Sequence, residues 1–504
     1  MKAFRFGAAM LVVLVLLLAL PAGADVSTPT QELRDAVTTE AILDHLEAFQ
    51  AIADANGGTR AAGTPGYAAS ADYVADLLTA AGYIVTIQTF VYDQFRQNAD
   101  SILEQVAPNS VSYVDGEDFF IMTYSGSGDV TASVQAIDLL LPPTGGSTSG
   151  CEDADFANFI EGNIALIQRG TCTFREKADN AVEAGAVGVI IFNEGNAEDR
   201  IELFGGTLDP PEIEGVPVVS ASFALGVELN ELIDDGLTVR LATDATLTEI
   251  ETYNVLADTP TGRSDRLVVV GAHLDSVAEG PGINDNGSGV AAILETALQI
   301  AELGIEPTNM IRFAFWGGEE DGLIGSEYYI SQLTKAEIKD HAVNLNFDMV
   351  GSPNYVRFVY DGDGSPTGTA GPNGSGVVED IFLDYFASQG LAAEPTAFDG
   401  RSDYGPFIAV GIPAGGLFTG AEGIKTEEEA IIYGGTAGVA YDPCYHQACD
   451  DFSNLNYDAL DEMSDAIAHA TLVFAETTSA VQGTGKGQGN GQSNLEFRGN
   501  LRIR

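Results

Sequence analysis

Leu267-Val-Val-Val-Gly-Ala272 runs straight into His273-Leu-Asp275, and Gly282-Ile-Asn-Asp-Asn-Gly-Ser-Gly289 comes soon after. The apolar run is short and rich in β-branched residues, which predicts a buried strand. His273 then stands at that strand's carboxyl end, and the Gly- and Asn-rich turn leads into a helical pattern from about Val290 to Leu303. Strand, turn and helix in this order form one unit of an α/β sheet, where ligands bind outside the carboxyl ends of the strands. His273 and Asp285, on two loops at one sheet edge, are the beginning of a metal site.

The same texture recurs downstream. Met310 to Phe315 predicts a second strand with Trp316-Gly-Gly-Glu-Glu-Asp-Gly322 as its loop, and Leu345-Asn-Phe-Asp-Met349 a third. After Ser402-Asp-Tyr-Gly405, Pro413 to Phe418 predicts another, and Asp442-Pro-Cys-Tyr-His-Gln-Ala-Cys449 precedes a final helix from Tyr457 to Glu476. Strands alternating with helices predict an α/β fold, a mixed and mostly parallel sheet with helices on both faces. Upstream, Thr28 to Ala81 carries helical patterns broken by Gly57-Gly-Thr-Arg-Ala-Ala-Gly-Thr-Pro-Gly66, and Tyr83 to Tyr92 alternates like a strand. From about Gly128 to Thr248 the pattern changes to short apolar strands such as Ala136 to Leu141, Ile164 to Gln168 and Val187 to Phe192, with one clear helix from Thr173 to Ala184. That β-rich block holds no histidine, so chemistry is not expected of it.

A chain of 504 residues is long enough for two domains. Lys2 and Arg5, the apolar run Ala8 to Leu20 and Pro21-Ala-Gly-Ala24 read as a cleaved signal peptide. A membrane anchor would need roughly 20 apolar residues, more than this run supplies. Cys151, Cys172, Cys444 and Cys449 fall as two local pairs. In an exported chain, that spacing predicts disulfides Cys151–Cys172 and Cys444–Cys449 in place of thiolate metal ligands. The net charge of −52, from 74 acidic against 22 basic side chains, argues against nucleic acid or an anionic membrane as partner. With lysine so scarce, tolerance of high salt or a need for it is expected, because screening shortens the self-repulsion.

Each predicted sheet-edge loop supplies an acid or a histidine: His273, Asp285, Glu319 with Glu320, Asp348 and His446. Metal-assisted hydrolysis needs imidazole and carboxylate ligands, an open position for water, and a carboxylate off the metal to take the water's proton. Two metals sharing one bridging carboxylate need about two further ligands each. His273, Asp285, Glu320, Asp348 and His446 meet that count and leave Glu319 free as the base. Neighbouring residues on an extended loop point different ways, so Glu320 can face a metal while Glu319 faces the water. Asp275 is placed to accept the second ring N–H of His273 and fix its tautomer. His45, His341 and His469 lie in helical or linking segments and are read as structural.

His273-Leu-Asp275, Gly282-Ile-Asn-Asp-Asn-Gly-Ser-Gly289, Trp316-Gly-Gly-Glu-Glu-Asp-Gly-Leu-Ile-Gly-Ser326, Asn346-Phe-Asp-Met349 and Cys444-Tyr-His-Gln-Ala-Cys-Asp450 resemble the di-zinc M28 aminopeptidases, above all the secreted leucine-type enzymes. The block from Cys151 through Arg169-Gly-Thr-Cys-Thr-Phe-Arg-Glu-Lys177 to Asn193 resembles a protease-associated domain, an insert that shapes substrate access. The resemblance implies two Zn2+, with His273 and Asp348 on one, Glu320 and His446 on the other, and Asp285 bridging. It further implies Glu319 as general base, Tyr445 as donor to the developing oxyanion, Arg401 as a substrate contact, and Met349 and Phe418 as the apolar wall for the first side chain. It implies a cis peptide at Asp285–Asn286 as well.

The resulting organisation is a signal peptide over 1–24, a peptidase domain in two parts over 25–127 and 249–480, the insert over 128–248, and a Gly-rich linker with a basic tail over 481–504. The expected partners are peptides or proteins with a free amino terminus, met outside the cell or in a periplasm. An inactive binding protein on this fold, a carboxypeptidase and a glutaminyl cyclase are the alternatives. A pocket for a substrate carboxylate would need basic residues, in which this chain is poor. No Gly-x-Ser-x-Gly elbow and no His-Glu-x-x-His motif occurs, which removes those serine hydrolases and metallopeptidases.

Overall fold

The sheet that carries the site has eight strands, in the spatial order Ile84–Gln97, Ala245–Asp258, Asn309–Trp316, Arg263–His273, His341–Phe347, Ala414–Phe418, Phe358–Tyr360 and Glu394–Thr396. The four from Asn309–Trp316 to Ala414–Phe418 run parallel, while Ile84–Gln97, Ala245–Asp258 and Phe358–Tyr360 are antiparallel to their inner neighbours. These are the contents of a computed structural model that describes residues 30–197 and 200–483. The predicted signal peptide and the tail from 484 onward lie outside the described residues. The mixed, mostly parallel α/β sheet matches the expectation.

Both faces of the central strand are covered, which is why it shows no polar alternation. Val268, Val270 and Ala272 pack with Val290 and Leu294 of the helix Gly289–Glu302 and Ile467 of the helix Tyr457–Glu476. Leu267 and Val269 pack the other way, with Trp316, Tyr329 and Phe407. Each fully buried valine contributes about 1.5–3 kcal/mol relative to an exposed one. The Tyr457–Glu476 helix has the predicted bounds, and its N-cap Asn456 accepts the Ala459 N–H at 3.0 Å.

From Arg263–His273 the chain passes through Gly289–Glu302 to Asn309–Trp316 on one side. It then crosses back through Ile324–Ser331 and Lys335–Asp340 to His341–Phe347 on the other. Connections leaving in opposite directions open a crevice at the strands' carboxyl ends. His273 and Asp348 flank it.

The second sheet also has eight strands, ordered Val111–Tyr113, Ile102–Ala107, Thr238–Thr243, Gly128–Ile137, Ile164–Gln168, Gly188–Phe192, Val218–Ala221 and Phe119–Ile121. Residues 102–121, ahead of the β-rich block read from the sequence, therefore contribute three of its strands. A ribbon joins the two sheets, with Ile84 opposite Asp258 at one end and Gln97 opposite Ala245 at the other. The strand expected over Ala136–Leu141 lies earlier, at Gly128–Ile137. Asp138, at φ 40°, turns the chain out of the ladder, and Leu140 instead bonds the Gln168 side chain through both its N–H and its carbonyl.

Candidate metal centre

Four parallel strands deliver their carboxyl ends to one edge, and the predicted loops meet there. His273 ends its strand; Glu319 and Glu320 follow the strand ending at Trp316; Asp348 follows the strand ending at Phe347. Asp348 thus stands just past the strand end instead of inside an apolar strand. Asp285 comes from the turn Ile283–Ser288, in which the Asp285–Asn286 peptide is cis. His446 lies in the loop closed by the Cys444–Cys449 disulfide; the Cys151–Cys172 disulfide is formed as well, in the insert.

Asp285 faces both histidines. Its Oδ1 is 3.3 Å from His273 Nε2 and its Oδ2 3.3 Å from His446 Nε2. Asp348 Oδ1 lies 3.2 Å from His273 Nε2, and Glu320 Oε2 lies 3.0 Å from His446 Nε2. Glu319 stands further back, with Oε2 4.0 Å from His273 Nε2. These six residues line one pocket together with Met349, Arg401, Phe418 and Tyr445. The Tyr445 ring stacks on His446 with centroids 3.8 Å apart, and its hydroxyl is 3.4 Å from Arg401 Nη2. Arg401 Nη1 donates to Glu422 at 2.7 Å. His446, Met349 and Leu323 all have positive φ, at 57°, 52° and 63°, a left-handed backbone that costs roughly 1–2 kcal/mol per non-glycine residue. Strain of this kind gathers at functional sites.

Asp275 acts differently from the expectation. His273 Nδ1 lies 3.1 Å from the main-chain carbonyl of Asp275 and 3.9 Å from its carboxylate. That carboxylate instead accepts the N–H groups of Glu319 and Glu320 at 3.2 and 3.4 Å. The main chain orients the histidine, leaving the side chain to hold the adjacent acidic loop.

Four carboxylates crowd two imidazoles here, and the pocket's electrostatics reflect it. Burial pushes the Glu319 carboxyl well above its usual range; His273 opposes this, while Asp403, Glu320 and Asp348 reinforce it. Burial also raises Glu320, against the pull of His446. Burial alone would lower both histidines, yet the facing acids hold His273 and His446 well above the ordinary imidazole range. Burial would raise Asp285, but its bonds to the two histidines pull it below the ordinary carboxylate range. Glu320 Oε1 is buried with no hydrogen-bond partner. A buried excess of acid, an orphaned carboxylate oxygen and a donor set of imidazole nitrogen with carboxylate oxygen fit divalent cations such as zinc.

Residues 254–471 match peptidase family M28, and residues 130–229 match the PA domain. The chain is 49% identical to an aminopeptidase of Pseudomonas aeruginosa, over 87% of this chain and 81% of that protein. The chain belongs to peptidase family M28. This M28 peptidase is also 40% identical to a probable lipoprotein aminopeptidase of Mycobacterium tuberculosis, over 90% and 88% of the two chains. Among solved structures it resembles the aminopeptidase from Aneurinibacillus sp. strain AM-1, with a TM-score of 0.67, 26% identity and coverage of 88% and 95%. A zinc aminopeptidase from Bacillus subtilis aligns with a TM-score of 0.54 at 25% identity, over 86% and 94%.

Other residues that shape this M28 site escaped the sequence reading. Ser402 donates to Asp348 Oδ2 at 2.6 Å. Asn286 Oδ1 accepts the N–H of Met349 at 3.1 Å, tying the two pocket loops together. Thr123, Gly206 and Thr207 of the second-sheet unit line the pocket. The proximity of Ser402 to Arg401 was a usable signal; the threonines offered none.

Proposed function

We propose that this M28 aminopeptidase is zinc-dependent, uses two zinc ions, and removes large apolar residues from free amino termini of peptides outside the cytoplasm. The observation that carries this reading is Asp285, with one oxygen turned to His273 and the other to His446. His273 and Asp348 would hold one ion, His446 and Glu320 the other, with Asp285 shared. Bound zinc would polarise the scissile carbonyl and acidify water.

The remaining steps belong to the chain. Glu319, which stands further from its nearest imidazole nitrogen, at 4.0 Å, than Asp285, Asp348 or Glu320 does, accepts the water's proton on its carboxylate and passes it to the leaving amine. A positioned carboxylate that is not itself a metal ligand suits both transfers. Tyr445 donates its hydroxyl to the oxygen that gains charge in the transition state. Glu319 and Asp348 are the acids available to hold the substrate's ammonium. Met349 and Phe418 supply an apolar wall for the first side chain, and Arg401 contacts the peptide beyond it. Arg401 is the one Lys or Arg among the described lining residues, and Glu422 already neutralises it. That favours an amino-terminal over a carboxyl-terminal substrate.

Two disulfides fit an oxidising compartment. No helix among the described residues is long and apolar enough to cross a membrane.

The test combines metal analysis with hydrolysis of leucine anilide and of its amino-blocked form. About two zinc ions per chain, chelator-sensitive cleavage of the free substrate and none of the blocked one are expected. Equal cleavage of both, or activity indifferent to chelators, rejects the reading.

A further inference from the structure

Two charged side chains outside the pocket grip the main chain of the Asp285 loop, and the roles assigned so far use neither. Arg60 is fully buried. Its guanidinium donates from Nε to the Pro281 carbonyl at 2.8 Å, from Nη2 to the Gly282 carbonyl at 2.6 Å, and from Nη1 to the Leu274 carbonyl at 2.5 Å. Leu274 lies between His273 and Asp275, and Gly282 opens the turn that presents Asp285. One planar fork therefore joins the two chain segments that carry these facing groups. The Phe49 ring lies 5.1 Å from the guanidinium carbon and covers its outer face.

Asp450 takes the same loop from the other side, through its amides. Its Oδ1 accepts the Asn284 N–H and its Oδ2 the Asp285 N–H, both at 2.9 Å. Asp450 is 2% exposed, and Asn454 Nδ2 donates to its Oδ1 at 3.0 Å, holding the carboxylate in place. It directly follows Cys449, so it belongs to the chain segment that presents His446.

We propose that Arg60 and Asp450 are positioning residues for the metal pair, a clamp of opposite charges on the main chain that sets where Asp285 stands between His273 and His446. The inference rests on the two-zinc reading above. A buried guanidinium with only main-chain acceptors is an expensive way to close a loop, and it gains from the surrounding acids. The arrangement is also directional: the cation collects carbonyls leading to Asp285 and the anion collects amides at it. Lysine cannot reproduce the first half, because its point ammonium cannot reach three carbonyls as a planar fork does.

The full chain is compared as wild type, Arg60→Gln, Arg60→Lys and Asp450→Asn. Zinc retained against rising chelator, kcat and KM on leucine anilide, and the thermal melt of the metal-free form are measured for each. In folded Arg60→Gln and Asp450→Asn, the chelator needed to strip zinc falls by about 10–100-fold, the scale seen when outer partners of metal ligands are lost. In both, kcat falls more than KM rises, and Arg60→Lys recovers only part of the loss. A folded variant that melts earlier without metal, yet retains zinc and kcat at wild-type level, overturns the clamp. Should Arg60→Gln fail to fold, Arg60→Lys and Asp450→Asn decide by the same readouts. A wild-type protein that binds no zinc rejects the functional reading instead, and so separates the two failures.

Discussion

Ser402 Oγ donates to Asp348 Oδ2 at 2.6 Å, while the other oxygen of Asp348 faces His273 at 3.2 Å. The hydroxyl is itself aimed, since Asn346 Nδ2 donates to Ser402 Oγ at 2.8 Å and leaves the serine proton for Asp348. An amide on the strand His341–Phe347 thus fixes, through one hydroxyl, which oxygen of the carboxylate is free for the pocket. Because Asp348 stands past the strand end at a left-handed turn, its own backbone does not do this.

Ser402→Ala leaves a buried carboxylate oxygen without its donor. A loss of about 1–3 kcal/mol in stability is expected from denaturant unfolding, with zinc retention reduced by about 10–100-fold in chelator competition. Ser402→Thr keeps the hydroxyl and is expected to keep most of both. Wild-type zinc retention in the alanine variant would remove the assigned role.

Glu319→Ala separates proton transfer from metal holding. Zinc content is expected to stay at the wild-type value while turnover falls by about a hundred- to ten-thousandfold, the usual worth of a positioned acid–base group. Metal analysis beside the leucine anilide rate checks both. A variant that loses zinc and rate together would make Glu319 a ligand.

The two disulfides are expected to behave differently. Replacing Cys444 and Cys449 by Ser frees the loop that holds Tyr445 and His446, so zinc retention and kcat both fall. Replacing Cys151 and Cys172 by Ser acts in the insert, away from the pocket lining. There the expected loss is about 2–4 kcal/mol of stability, with kcat of the folded protein unchanged. Equal effects of the two changes on kcat would contradict this division.

The site was legible where side chains themselves carry its chemistry. His273, Asp285, Glu319, Glu320, Asp348 and His446 each follow an apolar strand or sit in a Gly- or Cys-marked loop, so type and place spoke together. The supports were not legible, because they act on main-chain groups that look alike in any sequence. Arg60 reads as one residue of a Gly-rich loop, yet it collects three carbonyls. Asp275 reads as the partner of its neighbour His273, but its carboxylate reaches across to Glu319 and Glu320. In the second sheet, Leu139-Leu-Leu141 has the apolarity of a strand, and only the turn at Asp138 takes it out of the ladder.

His469 makes acid stability testable away from the metal centre. Its Nδ1 lies 2.8 Å from Thr30 Oγ1 and its ring stacks on Tyr385 at 4.8 Å, tying the last long helix to the first described residue. Burial, with Arg34 adding to it, lowers the imidazole from 6.5 to about 4. The folded protein therefore binds fewer protons here than the unfolded chain, and stability rises with pH through this window. This contribution is complete above about pH 6.5 and is lost as pH falls towards about 4. Asp465, raised by burial despite Arg34, works in the opposite sense nearby, so the difference between wild type and a variant is the informative quantity. His469→Gln cannot take up the proton. Its unfolding free energy, followed in urea between pH 7 and pH 4, is expected to fall less steeply than that of the wild type. Parallel curves would show that His469 takes up its proton equally in the folded and unfolded protein.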